Sequence, residues 1–88
     1  MATPLAVTLY RRDGCGLCDQ AEAMLVRISR HQPLAVSLVD IESDDRLLRQ
    51  YMLEIPVVAV GAHEVARAPL YEKSLEAALV AVAAQSTK

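Results

Sequence analysis

The only two thiols in the chain stand in Arg11-Arg12-Asp13-Gly14-Cys15-Gly16-Leu17-Cys18-Asp19, with Gly16 and Leu17 between them. On the first turn of a helix, that spacing brings two sulfurs close enough to close a small disulfide ring or to grip a metal ion together. The first sulfur gains most from such a seat. Unpaired backbone N–H groups and the macrodipole place partial positive charge at a helix N-terminus, which stabilises a thiolate. Cysteines so placed have pKa values lowered from about 8.5 into the range of roughly 3.5 to 7.5. Cys15 is therefore the expected attacking sulfur and Cys18 the resolving one. Metal binding is the weaker reading, since a closed zinc site needs four ligands and the only histidines, His31 and His63, fit a helix end and a turn, where solvated imidazoles are ordinary.

The elements that must hold this pair can be read on both sides of it. Leu5 to Tyr10 is a continuous apolar run rich in strand formers, the pattern of a central strand covered on both faces. After the cysteines, Leu17, Ala21, Met24, Leu25 and Ile28 recur at helical spacing, predicting an amphipathic helix to about Arg30, ended by His31-Gln32-Pro33. Leu34 to Val39 reads as a second strand closing on Asp40-Ile41-Glu42. Ser43 then looks like the N-cap of a second helix carrying Asp44 and Asp45 in its first turn and Leu47, Leu48, Tyr51 and Met52 on its inner side. Glu54 to Val60 predicts a third strand with Pro56 at its very start, because proline cannot donate to an interior ladder. Gly61 to Glu64 is a turn, Val65 to Arg67 an edge strand broken by Pro69, and from about Ser74 a closing helix presents Leu75, Ala78, Leu79 and Val82 before fraying towards Lys88.

The expected architecture is a single α/β domain over 1–88, a mixed four-stranded sheet flanked by three helices in the order β-α-β-α-β-β-α. Apolar residues make up 53% of the chain, with no Phe or Trp and three Tyr, so the core must come from Leu, Val, Ile, Ala and Met. That scarcity of aromatics, a net charge of −2 and the lack of any basic run exclude a nucleic-acid partner. No stretch has the length of a membrane span, and Met1-Ala2-Thr3-Pro4 lacks the pattern of a signal peptide, so the expected location is the cytoplasm. In a reducing compartment a spaced cysteine pair is catalytic or metal-binding more often than structural. Arg11 or Arg12 could add positive potential, with a solvated role expected for at least one, and Asp13 and Asp19 read as turn and helix-start residues.

A strand, then Cys15-Gly16-Leu17-Cys18 opening a helix, then Ile55-Pro56 starting a later strand, resembles the thioredoxin superfamily and its glutaredoxin branch. Small bacterial glutaredoxin-like proteins with Cys-x-Leu-Cys-Asp in this place are particularly similar. The resemblance implies a thioredoxin-like fold and a thiol-disulfide oxidoreductase that reduces protein or glutathione-mixed disulfides. It implies no tightly bound cofactor and no resident metal, glutathione as a candidate co-substrate, a reductant such as glutathione or a thioredoxin reductase, and a monomer as the working form. Arg12 matches a basic glutathione-binding position, Ile55 the residue whose backbone N–H and C=O meet an extended substrate, and Pro56 a cis-proline lying against the sulfurs, although only about 5 to 6% of X–Pro bonds are cis. Three departures stand out. Gly16-Leu17 replaces the usual Pro-Tyr or Gly-Pro pair, Glu54 stands where glutaredoxins usually have Thr, and Ala68-Pro69-Leu70-Tyr71-Glu72-Lys73-Ser74 lacks the Gly-Gly and paired acids that hold the glutamyl end of glutathione. Two other functions remain open: a glutathione-dependent iron-sulfur cluster carrier, which Gly16 permits, and a binding module whose dithiol is idle.

Overall fold

A computed structural model of the chain describes residues 3–85, so the expectations placed on Met1–Ala2 and on the fraying end at Ser86–Lys88 lie outside the described residues. Four strands, β1 (Leu5–Arg11), β2 (Leu34–Asp40), β3 (Val57–Val60) and β4 (His63–Arg67), form one sheet in the order β2-β1-β3-β4. β2 runs parallel to β1, β3 antiparallel to β1, and β4 antiparallel to β3. The helices are α1 (Gly16–Ile28), α2 (Asp45–Tyr51) and α3 (Glu72–Gln85), with a single 3-10 turn at Ile41–Ser43. This is the mixed, helix-flanked sheet that the residue pattern predicts, with the apolar run after Pro4 as an interior strand.

Boundaries differ from the sequence reading where short polar side chains choose the cap. The N-cap of α2 is Asp44, not Ser43, because the Asp44 carboxylate accepts from the Arg46 N–H at 2.7 Å. Ser43 belongs to the 3-10 turn, which Asp40 caps by accepting from the Glu42 N–H at 2.8 Å. Helix α1 stops at Ile28, short of Arg30, and its last carbonyl takes bonds from the His31 and Gln32 N–H groups at 2.9 Å each. Strand β3 starts at Val57, after Pro56, while β4 starts early, at His63, inside the expected turn. Gly61 supplies the φ of +60° that tightens this hairpin to two residues.

The larger core lies on the sheet face covered by α1 and α3, where Leu5, Val7, Leu9 and Val58 pack with Ala21, Leu25, Ile28, Leu75 and Leu79. A salt bridge from Arg27 to Glu72, 2.7 Å long, ties these two helices together. Opposite, α2 covers a smaller cluster of Ile41, Tyr51 and Val57 with Tyr10, Leu47, Leu48 and Ile55 around it. The Tyr10 and Tyr51 rings stack there at a centroid distance of 4.6 Å. Because Tyr10 is registered on Val57, Pro56 and the loop after β1 come out at the same end of the sheet. No helix among the described residues is long and apolar enough to cross a membrane.

Candidate active site

Strand β1 delivers the chain to the site, and Gly14 turns it. Its φ of +76° lies in the region that side-chain-bearing residues adopt only with strain, and a glycine there lets the backbone double back into α1. Cys15 follows in an extended conformation as the N-cap of α1, its Sγ accepting from the Cys18 N–H at 3.1 Å. The Asp19 N–H donates to the Cys15 carbonyl at 3.1 Å, closing the first helical turn. Cys15 and Cys18 are joined as a disulfide with Cα atoms 5.2 Å apart, the geometry for a two-residue ring at a helix start. The two sulfurs are not equivalent. Cys15 is partly exposed, whereas Cys18 is fully buried at 0% exposure.

Both arginines before the motif are ion-paired, Arg11 largely buried and Arg12 at the surface with its side chain 38% exposed. The Arg11 side chain is only 17% exposed and faces three carboxylates, Asp13 at 3.5 Å, Asp19 at 3.3 Å and Glu22 at 3.2 Å. Its Nε is buried and meets Glu22 as an ion pair without hydrogen-bond geometry. Asp13 and Asp19 therefore serve as Arg11's partners besides being turn and helix residues. Arg12 pairs with Glu42 at 3.1 Å, bridging the cysteine loop to the 3-10 turn.

The second wall is the segment before β3. Pro56 is fully buried and follows a cis bond from Ile55, as the resemblance implies. The Ile55 N–H is taken by the Tyr51 carbonyl at 3.1 Å, so of the two backbone groups expected to meet a substrate only the carbonyl is left to do so. The Pro56 carbonyl accepts from the Ala68 N–H at 3.1 Å, and Arg67 reaches Glu54 at 2.8 Å, so the end of β4 clamps this loop. A second cis bond, Ala68–Pro69, lies in the same wall and carries no signal in the sequence beyond the proline itself. Between the walls runs a small cleft of about 70 Å³ lined by Leu17, Gln20, Met24, Pro56, Pro69 and Leu70. Of these, only Pro56 was among the expected site residues: the sequence reading took Leu17 and Met24 for the apolar stripe of the helix and Pro69 for a strand breaker, and gave Gln20 and Leu70 no role. Leu17, between the cysteines, is 56% exposed, and Tyr71 is 67% exposed nearby in sequence to Leu70.

Burial raises the Tyr51 phenol above its ordinary value, with Tyr10, Glu64 and Glu54 adding to the effect and Arg67 opposing it. His31 lies past the far end of α1, 3.5 Å from Glu76, and His63 opens β4 at the opposite end of the sheet. Neither joins the cysteines, and no group of three or more His, Cys, Asp or Glu side chains among the described residues could hold a metal ion.

The family model for the glutaredoxin-like domain (DUF836) matches residues 6–80, which include the cysteine pair, Pro56 and all four strands from Ala6 onward. The chain belongs to this family. The crystal structure of protein XcR50 from X. campestris is similar at 35% identity and a TM-score of 0.75, covering 85% of this chain and 96% of that one. The protein Ne2328 from Nitrosomonas europaea is similar at 23% identity and a TM-score of 0.75, covering 88% of this chain and 93% of its own. Thioredoxin 1 from Thermosipho africanus shares the fold alone, at 14% identity and a TM-score of 0.68 over 94% of this chain and 99% of its own. No curated protein matches the sequence.

Proposed function

We propose that this glutaredoxin-like domain is a thiol-disulfide oxidoreductase that acts on disulfides of polypeptides in preference to glutathione-mixed disulfides. The asymmetry of the two sulfurs carries the reading. A partly exposed Cys15 at the helix N-cap receives an N–H bond on its sulfur, and a thiolate there gains from both that bond and the helix dipole. Once the pair is reduced, Cys15 attacks a substrate sulfur, forming a mixed disulfide and expelling the other substrate sulfur as a thiolate that takes a proton. Buried Cys18, as its thiolate, then attacks Cys15 Sγ and releases the second substrate thiolate, leaving the intramolecular disulfide. Two electrons pass from the pair to the substrate, and an external dithiol or two molecules of a monothiol return them. A reducing cytoplasm suits that cycle.

The preference for polypeptides rests on what surrounds the pair. Glutathione presents carboxylates, yet Arg11 is saturated by three acids and Arg12 is paired with Glu42. The cleft beside Leu17 is instead lined by Met24, Pro56, Pro69 and Leu70, which suits an apolar side chain of an extended segment, and the Ile55 carbonyl is the backbone group left to receive it. Turnover on insulin disulfides compared with a glutathione-mixed disulfide tests this: a higher kcat/KM for insulin is expected, and the reverse order overturns the preference. A brown protein with visible absorption would point to a cluster carrier, and a wild type inactive on both substrates to an idle module.

A further inference from the structure

The two edges of the sheet are built to different standards. Edge β4, His-Glu-Val-Ala-Arg, carries charge at Glu64 and Arg67 and breaks register opposite Val58/Ala59, the devices that normally stop an edge strand from pairing with another chain. Edge β2, Leu-Ala-Val-Ser-Leu-Val-Asp, has none of them before Asp40, and its pairing with β1 runs without interruption from Leu34 to Asp40. Val36 is 40% and Leu38 52% exposed along it. A groove of about 260 Å³ opens between β2 and α1, floored by Leu34, Val36 and Leu38 and walled by Glu22, Val26 and Ser29.

We propose that a second copy of this chain occupies that edge, with β2 pairing antiparallel to β2 about a two-fold axis at Ser37. An open strand edge offers main-chain N–H and C=O groups in register, so its natural occupant is another strand, and self-pairing satisfies both copies at once. The side chains fit the same operation. Under it Leu38 lies across from the partner's Val36, so the apolar floor of one groove continues into the other. Glu22, Val26 and Arg30 fall at i, i+4 and i+8, and Arg30 keeps helical direction through its N–H bond to the Arg27 carbonyl at 3.2 Å. Reversing that stripe sets Val26 against the partner's Val26 and Glu22, whose other partner Arg11 already faces Asp13 and Asp19, towards the partner's Arg30, which has no ion pair within its own chain among the described residues. A net charge of −2 gives two copies little reason to repel.

The size of the contact sets its strength. Seven residues at about 3.3 Å each give an edge of about 23 Å, and a strip of that length beside one helix falls in the class below about 1,200 Å², that of weak, reversible complexes. The monomer expected from the family resemblance is then the dilute form. Because Cys15 follows β1 and β1 is parallel to β2, the two-fold axis sends the two dithiols to opposite ends of the joined sheet, leaving both accessible.

Sedimentation velocity of the reduced full chain from about 1 to 500 µM tests the proposal, with a dissociation constant of about 10 to 100 µM expected. The mean mass should rise from 9.6 kDa towards twice that value. Leu38→Lys should weaken association at least tenfold while leaving turnover per subunit and the circular dichroism spectrum unchanged, and Arg30→Glu should weaken it several-fold at low salt and less at high salt. Hydrogen exchange needs no substitution: amides of β2 should slow with concentration while those of β4 do not. A single species of monomer mass throughout, association indifferent to Leu38→Lys, or β2 exchange independent of concentration would each overturn the proposal.

Discussion

The two loops that meet at the dithiol are fastened by different forces. The reactive loop, from Arg12 to Cys15, is fastened by charge: Arg11 gathers Asp13 from the loop and Asp19 and Glu22 from α1, and Arg12 reaches Glu42. The docking loop, from Met52 to Pro56, is fastened by backbone bonds and burial. Glu54 and Ile55 both donate to the Tyr51 carbonyl, the Pro56 carbonyl is held by Ala68, and the Tyr51 ring is sunk into the smaller core. Charge pairs whose carboxylates are 38 to 89% exposed weaken with salt, whereas buried apolar contact and backbone bonds do not. The half of the site that must change covalent partner is thus the half whose fastening the solution can loosen.

Substitutions can break this contrast, beginning with the docking loop. Tyr51→Ala removes a buried ring and its stack on Tyr10, and should lower stability by about 3 kcal/mol with no dependence on salt, measured by denaturant unfolding at two ionic strengths. Arg11→Met leaves three carboxylates facing one another and should cost about 2 kcal/mol at low salt and clearly less at high salt. A salt-independent loss would refute the electrostatic reading of that loop. Gly14→Ala forces a side chain onto a positive φ and should cost about 1 kcal/mol while slowing turnover, since the strain bears on the residue before Cys15. Arg67→Met, by contrast, removes an exposed arginine at the end of β4 whose pair with Glu54 adds to a docking loop that other bonds already hold, and the melting temperature should not change measurably.

The smallest effect is a pH dependence. Burial holds the Tyr51 phenol above its ordinary value of 10.0, so the neutral ring favours the folded state. That contribution is complete below the ordinary tyrosine value and is lost as pH rises through the folded one. Tyr51→Phe should therefore flatten the alkaline limb of the stability profile, and an unchanged limb would show that another group controls it.

What could be read in advance follows from how local each signal is. The strand before the motif, the helical stripe from Ala21 to Ile28 and the tight turn at Gly61 are patterns of neighbours, and they stand in the structure with shifts of a few residues, whereas Leu17, read as the start of that stripe, is exposed beside the cysteines. Cap choice at Ser43 against Asp44 was not legible, because both side chains suit a cap and only the preceding 3-10 turn decides between them. Cys15 and Cys18 announced themselves by type and spacing. The pairing of Arg12 with Glu42, thirty positions away, and the closure of the cleft by Pro69 and Leu70 depend on the β2-β1-β3-β4 order, which no single stretch encodes. Nor does the run Leu34 to Val39 say whether it is central or an edge: its apolar character resembles that of β1, yet it borders solvent.

Unequal roles for the two sulfurs are the central claim, and trapping tests them most directly. Reduced Cys18→Ser and Cys15→Ser proteins are each mixed with a disulfide-bonded polypeptide and read by intact mass under non-reducing conditions. The account predicts a stable adduct through Cys15 in the Cys18→Ser protein and almost none in the Cys15→Ser protein. Equal adducts in both, or an adduct that forms only through Cys18, would contradict it.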